Sequence, residues 1–429
     1  MAHQQDMAPH RARTPRLQLL DAVAASDAPV TRHEIAGRSV VFVNEPELIR
    51  EILVTRAASF EKSEFQHRVM GGAEGAATGL GDGMLTSANE ANRRQRSRLR
   101  GLFSQPAVQG HVAGIAALAR EQRDRWAAAA EVELGTSFMW LSTRIVARTL
   151  FSWDLGSDDE QVVAGLTLIG DVLGSTAKAR EAGLAEPSQI EDAAGYLESR
   201  LLALVAQRRR VGPGERPDVI DALLDGPADR LVRDELMTLF ITGAENPRNA
   251  LTWAVYLLSK HPDAVQRIRD EVDRAGVADG HLDATVLANL PFTLRAFQEA
   301  LRLYPPGYAF GRRATERVDV GPLVLEPGAE VVVSPYVMHR RPSLFPWPDE
   351  FRPDRFEHAP PPFAYLPFGV GPRECIGGGL SLAIGHVVLA IIFGSLSVRP
   401  FPGTVEPRPG MTLRPGVPVP VTVAPRDAS

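Results

Sequence analysis

The chain has 429 residues, 44% of them hydrophobic and 23% charged, an ordinary balance for a soluble globular protein with a large core. Its net charge of −5 gives no reason to expect nucleic-acid binding, and no apolar run approaches the ~20 residues that span a bilayer. Cys375 is the only cysteine, which excludes an intramolecular disulfide and a cysteine-rich zinc site.

In chain order, residues 1–14 read as a loose, polar tail carrying Arg11 and Arg13, with no apolar signal core. Gly37 to Asn44 reads as a strand leading into a helix, with Asn44 as the cap, Pro46 in the first turn and Glu47 to Thr55 continuing it. Ser63 to Thr86 holds six glycines and reads as either a mobile lid or a surface loop. Asn89 to Phe103 is dense in arginine (Arg93, Arg94, Arg96, Arg98, Arg100), the pattern of a solvated helix face. Lysine is nearly absent, with only Lys62, Lys178 and Lys260, so arginine does the basic work, as codon usage in a GC-rich bacterial genome would favour.

Residues 107–227 read as successive helices, broken near Asp154–Asp159, Gly183–Ser188 and Gly212–Arg216. Asp234 to Lys260 reads as one long helix centred on Thr242-Gly243-Ala244-Glu245-Asn246-Pro247. Pro247 lacks the N–H that would bond the Gly243 carbonyl, so a freed carbonyl and a kink are expected there. Pro262–Val272 and Asp283–Tyr304 read as further helices. In the second, Glu299 and Arg302 share a face and can pair. Val318–Leu325 and Ala329–Val337 read as short strands around Pro327-Gly328, and His339 reads as structural. Gly378 to Leu396 reads as an apolar helix, and Val398 to Val423 as a terminal β-hairpin that can reach the pocket.

Cys375 sits where a glycine-rich loop, Phe368-Gly-Val-Gly-Pro-Arg-Glu-Cys-Ile-Gly377, enters that apolar helix. A buried thiol, a nucleophile and a thiolate ligand all remain open from composition alone. Amide N–H groups and the positive end of the helix favour a thiolate.

The loop Phe-Gly-x-Gly-x-Arg-x-Cys-x-Gly resembles the haem-ligand loop of the cytochrome P450 family. Gly243 and Glu245 match that family's central helix, Glu299-Ala-Leu-Arg302 its Glu-x-x-Arg helix, and Phe351-Arg-Pro-Asp-Arg-Phe356 its later arginine motif. The resemblance covers roughly Gly37 to the C-terminus. It implies a mainly α fold with small β-sheets, and one haem-thiolate domain over residues 15–429. Leu166–Gln207 would supply lid helices and the glycine-rich stretch a loop over the substrate pocket.

It further implies haem b, with Cys375 as the axial iron ligand and Phe368, Gly369 and Gly377 shaping its loop. Arg96, Arg373 and either Arg312 or Arg313, with Arg312 aligning best, would meet the haem propionates. Asn92 stands where His or Trp is usual. Glu299, Arg302 and Arg355 would form a buried structural group. Leu239, Thr242, Gly243, Tyr308 and Phe310 are the pocket candidates.

The implied activity is O2 activation followed by hydroxylation or epoxidation of an apolar small molecule in bacterial secondary metabolism, by a cytoplasmic enzyme free of membrane and nucleic acid. No flavin or iron–sulfur segment is seen, so electrons would come from a separate ferredoxin and ferredoxin reductase. Arginines on the Cys375 side would suit an acidic ferredoxin. Glu245 and Asn246 take the catalytic positions, and Asn246 departs from the usual threonine. Asn can donate and accept but cannot relay a proton through a hydroxyl. It would organise water equally well, leave the relay to a substrate hydroxyl, or mark atypical oxidation such as coupling, desaturation or peroxide-driven chemistry. Rival readings are a non-catalytic haem-thiolate sensor or carrier, and a structural protein whose cysteine fills a core.

Overall fold

The computed structural model describes residues 14–35, 37–63, 80–173, 187–224, 229–277 and 282–426. The architecture is mainly helical with small sheets. Its axis is the helix Asp229–Ser259, which starts five residues before the expected Asp234 and runs on through Pro247. Leu236, Phe240, Leu251, Trp253 and Val255 are all inaccessible to solvent. A helix covered on nearly every side is a core helix. It packs on Leu134–Leu150, Pro291–Leu303 and Gly378–Ser395. Gly243 lets the first of these approach closely, because a Cβ there would lie 3.2 Å from the Val146 methyls.

Contrary to the sequence expectation that no run approaches a span, one helix among the described residues, Gly378–Ser395, is long and apolar enough to cross a membrane, yet 72% of it is buried. It packs on Gln105–Ala129 and Pro291–Leu303, as part of the main core.

A second core lies under a five-stranded sheet of order β1-β2-β8-β5-β3. Its strands are β1 (Val30–Ile35), β2 (Arg38–Val43), β3 (Phe60–Lys62), β5 (Phe310–Ala314) and β8 (Glu330–Val333). The β2–β8 pair is parallel and the others antiparallel. Elsewhere β4 (Glu131–Glu133), β12 (Pro420–Pro425) and β9 (Leu396–Pro400) form a three-stranded sheet. β6 (Val318–Val320) pairs with β7 (Leu323–Leu325), and β10 (Pro407–Pro409) with β11 (Leu413–Pro415).

Several expectations are corrected. Val30–Ile35 forms a strand that the sequence reading left out; it pairs along the whole of β2. The cap of helix Pro46–Arg50 is Glu45, while the Asn44 side chain donates to the Ala28 carbonyl at 3.2 Å. That helix changes to a π-helical turn over Glu51–Thr55. The stretch Asp283–Tyr304 is two helices, Ala284–Leu287 and Pro291–Leu303. Pro291 cannot continue a helix from before it but is well placed to begin one. Of the expected tail, residues 1–14, all but Thr14 lie outside the described residues, and Thr14 caps the helix Pro15–Ser26; most of the glycine-rich stretch (residues 64–79) also lies outside them. The expected lid span is seen as helices Asp159–Leu173 and Pro187–Val211, with residues 174–186 also outside the description.

Candidate active site

The cysteine loop is folded tightly against its surroundings. The Cys375 N–H donates to the Phe368 carbonyl at 2.8 Å. Gly369 and Gly371 adopt φ of 70° and 80°, the left-handed region. At Gly371 a Cβ would lie 2.1 Å from the Leu53 carbonyl oxygen, so the loop rests directly on the π-helical turn. Cys375 then faces a cavity of about 370 Å³. Its surface is accessible where it borders that cavity and is otherwise enclosed by protein. Burial pushes its thiol up from the ordinary value, against the Gly377 amide and the charge of Arg96. The amide is thus present as the sequence argument expected, and Arg96 adds a cation it did not foresee, but within the protein alone burial outweighs both. Coordination to a metal would supply the missing stabilisation of a thiolate.

Four cations border the same cavity: Lys62, Arg96, Arg312 and Arg373. None of them forms an ion pair with any described residue, although Glu374 also borders the space. Arg312 is driven down to about 10 by burial and by Arg373. Lys62 is driven down to about 7 by burial, then Arg373, then Arg312, and its Nζ donates to the Leu85 carbonyl. Arg373 is steadied by the Ser87 carbonyl at 2.7 Å and by Asn89 Oδ1 at 3.0 Å. Arg313, next along β5, turns to the opposite face and pairs with Glu61 at 2.9 Å. Asn92 borders the cavity, but its amide donates to the Met84 carbonyl at 2.7 Å. Sequence reasoning missed Lys62 as a site residue. The available signal was that it is one of three lysines in an arginine-dominated chain.

Across the cavity the central helix presents Thr238, Leu239, Thr242, Gly243, Asn246 and Pro247. Asn246 Nδ2 donates to the Thr242 carbonyl at 2.9 Å. Glu245 points elsewhere and is not part of the lining. It is buried against Arg248 at 3.1 Å and accepts from Asn249 at 2.9 Å and from Thr412 Oγ1 at 3.4 Å. Thr412 and Met411, between β10 and β11, line the cavity, so the terminal β region does reach the pocket. Phe310, Phe368, Gly369 and Gly377 line it too. Tyr308 does not: its hydroxyl needs a partner and donates to the Gly410 carbonyl at 2.7 Å.

Behind the loop, Arg302 and Glu299 are fully buried and joined by two bonds, of 2.7 and 2.9 Å. Arg355 adds a 2.9 Å bond to Glu299, while Arg302 also holds the carbonyls of His339, Pro348 and Glu350. His339 donates from Nδ1 to the Arg302 carbonyl and accepts the Leu366 N–H at Nε2, which fixes its tautomer. It is structural, and burial holds its pKa well below the ordinary value.

A cysteine on a glycine-built loop, a largely apolar cavity beside it and a rim of cations with no ion-pair partner among the described residues are the features expected of a haem-thiolate protein. The family model described as Cytochrome P450 matches residues 9–420, and the chain belongs to that family and is a P450 oxidoreductase. Cyclooctatin synthase of Streptomyces melanosporofaciens is 32% identical over 403 residues, covering 89% of this chain and 86% of that protein. Cyclooctat-9-en-7-ol 5-monooxygenase of the same organism is 28% identical over 407 residues, covering 89% and 85%. Pentalenene oxygenase of Streptomyces avermitilis is 28% identical over 381 residues, covering 84% and 81%.

The family implies a haem-iron cofactor, and the residues present fit it. A thiol facing an apolar cavity suits an axial ligand. A rim of cations with no carboxylate partners among the described residues suits two propionates, since buried like charges are tolerated only when neutralised.

Proposed function

We propose that this protein is a haem b-dependent monooxygenase that hydroxylates or epoxidises an apolar small molecule of the terpenoid class, as part of bacterial secondary metabolism. The observation that carries the reading is the placement on one cavity of Cys375 and four cations that have no ion-pair partner among the described residues. The names of the three Streptomyces relatives support the substrate class. The thiolate-bound haem supplies O2 activation with two electrons and two protons.

The chain's own part is positioning and exclusion of water. Cys375 is the iron ligand. Arg96, Arg312, Arg373 and Lys62 hold the propionates, with Asn92 fixing the Met84 carbonyl at the same rim. Phe368, Gly369 and Gly377 shape the ligand loop. Asn246 borders the reacting space, and Glu245 acts from behind it through Thr412. Residues 15–429 form one catalytic unit, working in the cytoplasm.

Electrons arrive from a separate ferredoxin and its reductase. Exposed Arg93, Arg94, Arg98 and Arg100, on the segment that carries Arg96, suit an acidic partner. Reversing their charge should lower the reduction rate and its salt dependence. Unchanged rates would remove this docking reading.

A second reading keeps the fold and changes the chemistry to coupling, desaturation or peroxide-driven oxidation. It is favoured by Asn246, whose amide is tied to its own helix and offers no hydroxyl. The main test is the CO-difference spectrum of the reduced protein and its loss in Cys375→Ser. An unchanged spectrum in that variant would overturn the assignment of the ligand. Product formed per reductant consumed, compared in native protein and Asn246→Thr, and the identity of that product separate the two chemistries: coupled formation of an alcohol or epoxide favours the first reading, and an alkene or coupled product, or turnover with added hydrogen peroxide in place of O2 and reductant, favours the second.

A further inference from the structure

The wall of the cavity facing Cys375 has an unusual balance of donors and acceptors. Thr238 Oγ1 donates to the Leu80 carbonyl at 3.2 Å. Thr242 Oγ1 donates to the Thr238 carbonyl at 2.6 Å. Thr412 Oγ1 donates to Glu245 at 3.4 Å while accepting from Asn249 at 3.0 Å. Each hydroxyl hydrogen on this wall is therefore engaged with the protein. Asn246 follows the same rule, with one amide hydrogen on the Thr242 carbonyl at 2.9 Å.

That last bond also settles which way the amide faces. A carbonyl cannot accept from another carbonyl, so the atom next to the Thr242 oxygen is the nitrogen and the other end is oxygen. Asn246 Oδ1 has no hydrogen-bond partner among the described residues and belongs to a residue that borders the cavity. Thr242 Oγ1, having donated its hydrogen, keeps lone pairs one helical turn away on the same lining. The wall thus offers several acceptor sites against one remaining amide N–H. Its other lining, including Val146, Leu150, Leu239, Ala250 and Met411, is apolar.

We propose that the substrate is a lipophilic alcohol whose hydroxyl donates to Asn246 Oδ1. The inference rests on the monooxygenase reading and narrows its substrate class. A ketone or ether of the same shape can only accept, and would leave Oδ1 unsatisfied in an apolar space. Sites built to hydrogen-bond a substrate hydroxyl reject analogues lacking it more strongly than apolar sites reject a size change. The bound hydroxyl also brings an O–H group to the position where Asn246 itself has none. The enzyme then stands after an oxygen-installing step, either a cyclisation ended by water capture or an earlier hydroxylation, and it adds a second oxygen function.

The test uses the full-length haem-loaded protein and three matched probe sets: borneol, cedrol and sclareol, each with its methyl ether and its parent hydrocarbon. Dissociation constants are read by calorimetry, alongside the ligand-induced spectral shift. At least one alcohol should bind about tenfold tighter than its own ether and hydrocarbon, the gap expected of one well-made buried hydrogen bond. Asn246→Leu should shrink that gap to within about twofold while leaving hydrocarbon binding in place. Asn246→Ala repeats the comparison should the leucine variant fold poorly. If ethers and alcohols bind alike, or no alcohol is preferred in any set, Oδ1 is served by water and the proposal is overturned. A gap that persists in both variants also overturns it. Failure of the haem-thiolate reading is separate, because it shows as a missing CO band in the same preparation.

Discussion

Lys62 on β3 and Arg312 on β5 stand directly opposite one another in register, both bordering the cavity, with no carboxylate among the described residues paired to either. Two buried cations on adjacent strands repel one another, which is tolerable where an anion sits between them. Lys62 yields first, brought down from 10.5 to about 7. In haem-free protein the folded state should lose this proton near pH 7, while the unfolded chain keeps it to about 10.5. The unfolded state then binds more protons across that window, so stability should rise with pH, by roughly 1.4 kcal/mol per unit at steepest. Haem binding should reverse this by returning the proton, giving measurable proton uptake on reconstitution at pH 8. Lys62→Met should abolish both the slope and the uptake, and should weaken haem retention. Identical titration curves for native and variant would show that Lys62 does not belong to the cradle.

Glu235 gives the opposite slope. Its Oε2 accepts the Met84 N–H at 3.0 Å, but Oε1 is buried with no hydrogen-bond partner among the described residues. Burial, aided by repulsion from Asp234 and opposed by the Met84 amide and Arg98, raises it from 4.5 to about 7. Here the folded state binds the extra proton between pH 4.5 and 7, so stability is highest at the acid end and falls as pH rises through that window. Glu235→Gln keeps an acceptor for Met84 and removes the charge. It should flatten the slope and raise stability at pH 8 by up to roughly 3 kcal/mol. Chemical denaturation at pH 5 and pH 8 checks this. A variant no more stable at pH 8 than at pH 5, relative to native, would refute it.

The Glu299–Arg302–Arg355 group should be costly to break on one side only. Arg302→Met leaves Glu299 buried with only Arg355 and the Arg352 N–H, and orphans three carbonyls. A loss of roughly 3–5 kcal/mol is expected. Arg355→Ala, whose side chain is 12% exposed and whose removal leaves the Arg302 bonds intact, should cost less. Thermal melts of the two variants should rank in that order. The reverse order would mean that Arg355, and not Arg302, secures the segment beneath the haem.

This group was legible in the sequence because each member sits in a short motif of fixed spacing. Cys375, Arg373 and the loop glycines were legible for the same reason. Lys62, Met84 and Thr412 were not. They reach the cavity through strand pairing, a turn pinned by Glu235, and the β10–β11 connection, and none of these leaves a local pattern. Tyr308 and Phe310 looked equivalent as aromatic pocket candidates, but a buried hydroxyl must find an acceptor, and only Tyr308 has one to place. Glu245 and Asn246 are neighbours in a motif, yet adjacent helix positions point about 100° apart. One therefore enters the cavity and the other the ion-paired layer behind it.

Two glycines of the cysteine loop should respond very differently to alanine. At Gly371 the backbone has φ of 80° and a Cβ would lie 2.1 Å from the Leu53 carbonyl oxygen. Neither conflict can be relieved by a side-chain rotation, since both involve backbone. Gly371→Ala should displace the loop from the Glu51–Thr55 turn and cost several kcal/mol, on the order of what strain and overpacking together produce. At Gly377 a Cβ would meet nothing closer than Phe103 at 3.9 Å and the Cys375 sulfur at 4.0 Å, ordinary contact distances. Gly377→Ala should therefore fold with near-native stability, so any change it makes in the haem spectrum reports on the cofactor side of the loop alone. Haem content and melting temperature of the two variants decide the matter. Equal destabilisation would mean that the loop tolerates movement at Leu53, and that its shape is set by the haem and not by the π-helical turn beneath it.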